Sequence, residues 1–187
     1  MKSNKKTRPK IIYLPTIFMW DHQRIDDAWY SDAWYYKFQK ELIEHFSTKK
    51  EFEFVWKGLP AGDSIYNPIP NFIKDNQFEN IEIATDYFGS HLISADRVIA
   101  DFPSTGFYEA VVAGVPAMSL YHKDFKVRKS AIEFFGHLIQ PFSDIPEALE
   151  KIDRFLESDP KLYCTSIPLG NDVIKVLEDI NMTKSGV

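Results

Sequence analysis

Between Arg97 and Tyr121 the chain reads RVIADFPSTGFYEAVVAGVPAMSLY, and no other stretch restricts the fold as much. Val98 to Ala100 form a short apolar run of strand type that ends at Asp101. The turn PSTG follows. It leads into the helical run GFYEAVVAG, closed by Gly114 with Pro116 two residues on, which is how helices are commonly stopped. PAMSLY then returns to a strand pattern. Strand, helix and strand in such close succession are the building unit of an α/β protein. In this helical run Glu109 is the one charge that falls toward the expected buried side, so its purpose has to be explained.

The rest of the chain repeats the alternation. KIIYLPT, from Lys10 to Thr16, is a compact apolar run stopped by Pro15, as a buried strand would be. From Asp32 onward, Trp34, Phe38, Leu42 and Phe46 recur every fourth residue, one face of a helix. EFEFVWKG alternates like a strand and ends at Lys57 and Gly58. A helix is expected from Pro70 to Gln77, then the short strand NIEIA and a short helix in TDYFGSHLISA. After PAMSLY come a helical FKVRKSAIEFFG, an extended HLIQPF, and the amphipathic DIPEALEKIDRFLES with Asp144 as N-cap and Pro146 in its first turn. A last helix is expected in GNDVIKVLEDIN.

Two stretches lack a period. IFMWDHQRIDDAWYSDAW reads as a loop, and LPAGDSIYNPIP as a long connection of the sort that tends to be functional. The pattern predicts an α/β fold with a mostly parallel, Rossmann-like sheet and helices on both faces. One domain is expected over residues 10–181, with a basic flexible tail at 1–9 and a polar tail at 182–187. Ligands of such sheets sit at the carboxyl ends of the strands. Thr16, Lys57, Asp101 and His122 fall at those ends.

Charge and composition exclude several functions. A net charge of -5 does not suit a nucleic-acid surface, which needs a basic surplus. The cluster MKSNKKTRPK precedes the first apolar run and reads as a solvated tail. The single cysteine, Cys164, leaves no internal disulfide or cysteine-rich metal site and suits a reducing cytoplasm. No apolar run nears the roughly 20 residues of a membrane span. His22, His45, His91, His122 and His137 show no metal-ligand spacing, so neither a metal nor a cofactor is expected. Ser104 lacks the Gly-x-Ser-x-Gly setting of a hydrolase nucleophile. Trp20, Trp29, Tyr30, Trp34, Tyr35 and Tyr36 read as core packing in part, with sugar stacking or a domain contact as the other reading.

A helix beginning at PSTG turns its first unpaired N–H groups and the positive end of its dipole toward the ligand edge, the physical basis of a phosphate site. Ser104 and Thr105 add hydroxyl donors, and Gly106 permits close approach. Glu109, a turn further in, reaches a sugar hydroxyl on that phosphate. Plain capping competes with this reading, since Ser and Thr favour N-caps. A capping box needs the acid three residues after the cap, and only Gly106 stands at that distance from Glu109. Asp101 could cap the turn or serve the site. His122 could act as a base or phosphate donor, or be an ordinary loop histidine.

STGFYEAVVAGVP resembles the donor-binding segment of GT-B glycosyltransferases, and the wider run from Ser94 to Tyr121 is similar to transferases of surface polysaccharides, including those that use CDP-glycerol. KIIYLPTIF resembles the opening of their C-terminal domain. The resemblance implies half of a GT-B fold that binds a nucleotide-activated sugar or polyol. Ser104, Thr105, Gly106 and Lys57 would meet the phosphates and Glu109 the ribose, with Thr16, Asp101 and His122 at the donor-site edge. The catalytic residues stay unassigned. It also implies an N-terminal acceptor domain or partner subunit, and work in the cytoplasm at the inner face of the membrane. The chain departs from the pattern in carrying WKGLP where many relatives have His-Pro, DFPST where polyol-phosphate transferases have an aspartate, an aromatic and two serines, and room for one domain only. A nucleotide-sugar epimerase and a non-catalytic assembly module are the competing readings.

Overall fold

The computed structural model describes residues 8–18, 31–59 and 67–164. Six strands, β1 (Lys10–Leu14), β2 (Glu53–Lys57), β3 (Ile81–Ala84), β4 (Arg97–Ala100), β5 (Ala117–His122) and β6 (Ile139–Phe142), form one sheet in the order β3-β2-β1-β4-β5-β6. Every pairing is parallel. Between the strands run α1 (Asp32–Thr48), α2 (Ile69–Asn76), α3 (Phe88–Leu92), α4 (Thr105–Val112) and α5 (Lys129–Phe135), and α6 (Ile145–Glu157) follows β6. The fold is α/β and Rossmann-like. The tails and the expected helix GNDVIKVLEDIN lie outside the described residues, as do parts of the two irregular stretches.

The sheet separates two apolar layers. On one side Ile11, Tyr13, Phe54, Trp56 and Ile99 meet residues of α1, α2 and α6, among them Phe38, Phe46, Ile73 and Phe155. On the other, Ile12, Val55, Val98 and Ala100 meet Phe107, Ala110 and Val111 of α4, with Phe88 of α3 and Phe135 of α5 alongside. Coverage on both faces explains why β2 departs from the expected alternation: Phe54, Val55, Trp56 and Lys57 are all buried, as a central parallel strand requires. Phe46 stacks on Phe54 with ring centroids 4.1 Å apart, and burial of one such ring stabilises the fold by about 1.5–3 kcal/mol.

Helix ends follow local chemistry. Asp144 accepts the Glu147 N–H at 2.9 Å and starts α6. Beyond the end of α4, Gly114 adopts φ +73°, its N–H donating to Val111 O and that of Val115 to Ala110 O, both at 3.0 Å. That left-handed position is one in which glycine meets no Cβ penalty. The chain is thereby turned directly into β5.

Candidate functional site

The strand order makes β1 and β4 neighbours, yet the connections lead away from them in opposite directions, β1 toward β2 and β4 toward β5. The crevice at their carboxyl ends is where ligands of such sheets lodge. The sequence-derived candidates meet at this edge, and the two faces of the sheet sort them into two groups.

The first group lies on the α4 side. Ser104 is the N-cap of α4, with extended backbone, and Thr105 is the first helical residue rather than the cap. The Ser104 side chain accepts no first-turn N–H, whereas Ser31 and Asp144 each cap their helix through a side-chain oxygen. The start of α4 therefore keeps donor capacity and positive potential at the crevice. A Cβ on Gly106 would stand 2.9 Å from Leu14 Cδ1 and 3.7 Å from the Phe88 ring. The missing side chain thus lets α4 settle on the end of β1. Tyr13 pairs with Trp56, so Leu14 and Lys57 are the next residues along and share the α4 face. Lys57 is only 6% exposed, and its ammonium donates to Gly58 O at 2.7 Å. Burial lowers its pKa, partly offset by nearby Asp86. Asp86 is held below the usual carboxylate range, first of all by its 2.6 Å bond with His91.

Glu109 does not lie on the buried side. Phe107, Ala110 and Val111 form the inner face of α4, and Glu109, between them in sequence, is exposed. The run is apolar enough to be helical in either rotation, and the large Phe107 ring decides which face turns inward.

The second group lies on the α1 side. Asp101 is 3% exposed and accepts two short bonds, from Tyr13 OH to Oδ2 at 2.6 Å and from Thr16 Oγ1 to Oδ1 at 2.7 Å. Gln39 Nε2 donates to Thr16 O at 2.8 Å, and Trp56 Nε1 donates to Gln39 Oε1 at 3.3 Å. Burial pushes the Asp101 carboxyl up to about 6 against the pull of the two hydroxyl bonds. It also raises Tyr13 well above the ordinary phenol value, with the Asp101 charge adding to the effect. A small open pocket borders Asp101, lined mainly by aromatic rings including Trp34, Tyr121 and Phe142, with His122 on its wall.

His122 is a packed residue rather than a solvated one. Its Nε2 lies 2.9 Å from Ser143 O, a carbonyl that can only accept, and Nδ1 faces the Asp124 N–H at 3.3 Å. Nδ1 also lies 3.5 Å from Asp124 Oδ2. The ring stands edge-on to Trp34 and Phe142.

Sequence reading missed Tyr13, Gln39 and Trp56 as parts of this network, and the Asp86–His91 pair beside Lys57. One signal was present: a tyrosine in the buried run KIIYL needs a hydrogen-bond partner inside the protein. Among the described residues no group of three or more His, Cys, Asp or Glu could hold a metal ion. Nor is any described helix long and apolar enough to cross a membrane.

No protein-family model matches the sequence, and no curated protein matches it. Among solved structures, the crystal structure of the glycotransferase of kitacinnamycin is similar over 80% of this chain and 35% of that one, with a TM-score of 0.46 and 11% identity. The chain spans about a third of that protein's length. At such a level nothing about individual residues at the sheet edge follows from the likeness.

Proposed function

We propose that this chain is the donor-binding domain of a transferase in cell-surface polysaccharide assembly, taking a nucleotide-activated sugar or polyol and working with an N-terminal acceptor domain or partner subunit. One observation carries the reading: the side-chain-uncapped start of α4 opens at the β1–β4 crevice, with the buried Lys57 cation on the same face. Backbone N–H groups of the first turn and the Ser104 and Thr105 hydroxyls hold the phosphates, and exposed Glu109 takes the ribose hydroxyls. In the transfer step from a nucleotide-sugar, an acceptor hydroxyl oxygen bonds to the activated carbon, its proton passing to a base on the acceptor-side domain, while that carbon's bond to phosphate oxygen breaks; with a nucleotide-activated polyol the attack falls on phosphorus instead. The nucleotide leaves with the electron pair, and the helix start and Lys57 stabilise the charge that develops. The domain alone binds donor and transfers nothing, because the acceptor is not positioned.

Calorimetric titration with UDP, CDP and GDP tests the reading. Binding of one of them is expected, and Glu109→Gln is expected to weaken it by roughly 1.5–3 kcal/mol, the range for hydrogen bonds to a charged group. Thr105→Ala should also weaken binding, with little change in stability, because Thr105 is not the cap. No binding of any nucleotide at millimolar concentration would favour the assembly-module reading. Unchanged affinity in Glu109→Gln would remove the ribose role.

A further inference from the structure

We infer that Thr16, Tyr13 and Asp101 are positioning residues, a latch between the chain leaving β1 and the turn that starts α4, and that they do not contact the ligand. Both Asp101 oxygens already accept hydroxyl bonds at 2.6 and 2.7 Å, from residues 88 and 85 positions away in the chain. The Tyr13 ring is fully buried and stacked on Phe54 at 5.9 Å, which fixes one of the two donors on the body of the sheet. Thr16, the other donor, is tied through its carbonyl to Gln39 in α1. Asp101 is also attached by its backbone, its N–H donating to Leu14 O at 3.4 Å.

Only Phe102 and Pro103 separate Asp101 from the cap residue Ser104. Pro103 has a fixed φ, and the Ser104 N–H closes a tight turn on Phe102 O at 2.7 Å. So short and stiff a connection carries the position of Asp101 directly into that of the α4 start. Loss of the Thr16 bond should let the turn and the first N–H groups of α4 fluctuate, while the hydrophobic layers stay in place.

The test is residue-resolved amide hydrogen exchange on the intact chain, which does not depend on the nucleotide reading. In Thr16→Val, which keeps shape and removes the hydroxyl, exchange at Asp101, Ser104 and Tyr108, whose N–H groups are bonded to Leu14 O, Phe102 O and Ser104 O, is expected to rise at least tenfold, with β5 and α6 unchanged. Thr16→Ser, which restores the hydroxyl, should return the parent rates. Unchanged exchange in Thr16→Val, or an equal rise throughout the sheet, would overturn the latch, as would failure of the serine rescue. The second readout rests on the proposed donor site: where one of UDP, CDP and GDP binds the parent, Thr16→Val should weaken that binding about tenfold and Thr16→Ser should not. If none of the three binds the parent, the donor reading loses that support, while the exchange data still decide the latch.

Discussion

Phe107→Ala is expected to lower the stability of the domain by about 3–5 kcal/mol, as large-to-small changes at a fully packed aromatic site do. Phe107 is fully buried, and its ring lies 5.6 Å from that of Phe135 in the layer that joins α4 to the sheet. The other buried residues of α4 are Ala110 and Val111, which are much smaller. Phe107 is therefore the main anchor of a helix only eight residues long. A domain of this size is commonly stable by about 5–15 kcal/mol, so the loss would be a large fraction of the whole. Urea denaturation measures it directly, and Phe107→Leu should recover most of the stability. A cost below about 1 kcal/mol for the alanine variant would show that α4 is held by something else.

The second large effect is a dependence of stability on pH centred on Asp101. Burial holds its folded pKa at about 6, above the ordinary 3.8. For a carboxyl raised on folding, the stabilising contribution is complete below the unfolded value and is lost as pH rises through the folded one. A shift of that size is worth about 3 kcal/mol. Asp101→Asn cannot titrate. The stability of the parent relative to Asp101→Asn should therefore improve by about 2.5 kcal/mol between neutral pH and about pH 4, and approach about 3 kcal/mol below about pH 3, with most of the change below about pH 6. Chemical denaturation of both proteins across this range measures the difference. A constant difference would mean that the Tyr13 and Thr16 bonds offset the burial of the charge.

Two carboxylates show how far the site was legible from sequence. Asp144 sits before a run of helical period, and its role as cap needs only the next three residues; the structure has it there, bonded to Glu147. Asp101 sits at the end of a strand pattern, which placed it at the ligand edge without naming its partners. Those partners, Tyr13 in β1 and Thr16 just beyond its end, are distant in sequence and adjacent only because β1 is inserted between β2 and β4. Hydrophobic periodicity reports whether a residue faces inward. It does not report which strand lies beside it.

The sequence by itself determined the alternation of strands and helices, the stop at Gly114 and Pro116, and the presence of Thr16, Lys57, Asp101 and His122 at strand ends. These follow from local propensities, capping and turn chemistry, each acting over a few residues. Tertiary structure alone decided the strand order, and with it the division of the candidates between faces. Lys57 shares a face with the start of α4, while Thr16 and Asp101 are locked together on the other side. It also turned Glu109 outward, because the packing of Phe107 against the sheet, rather than the helical period of an almost wholly apolar run, fixed the rotation of α4.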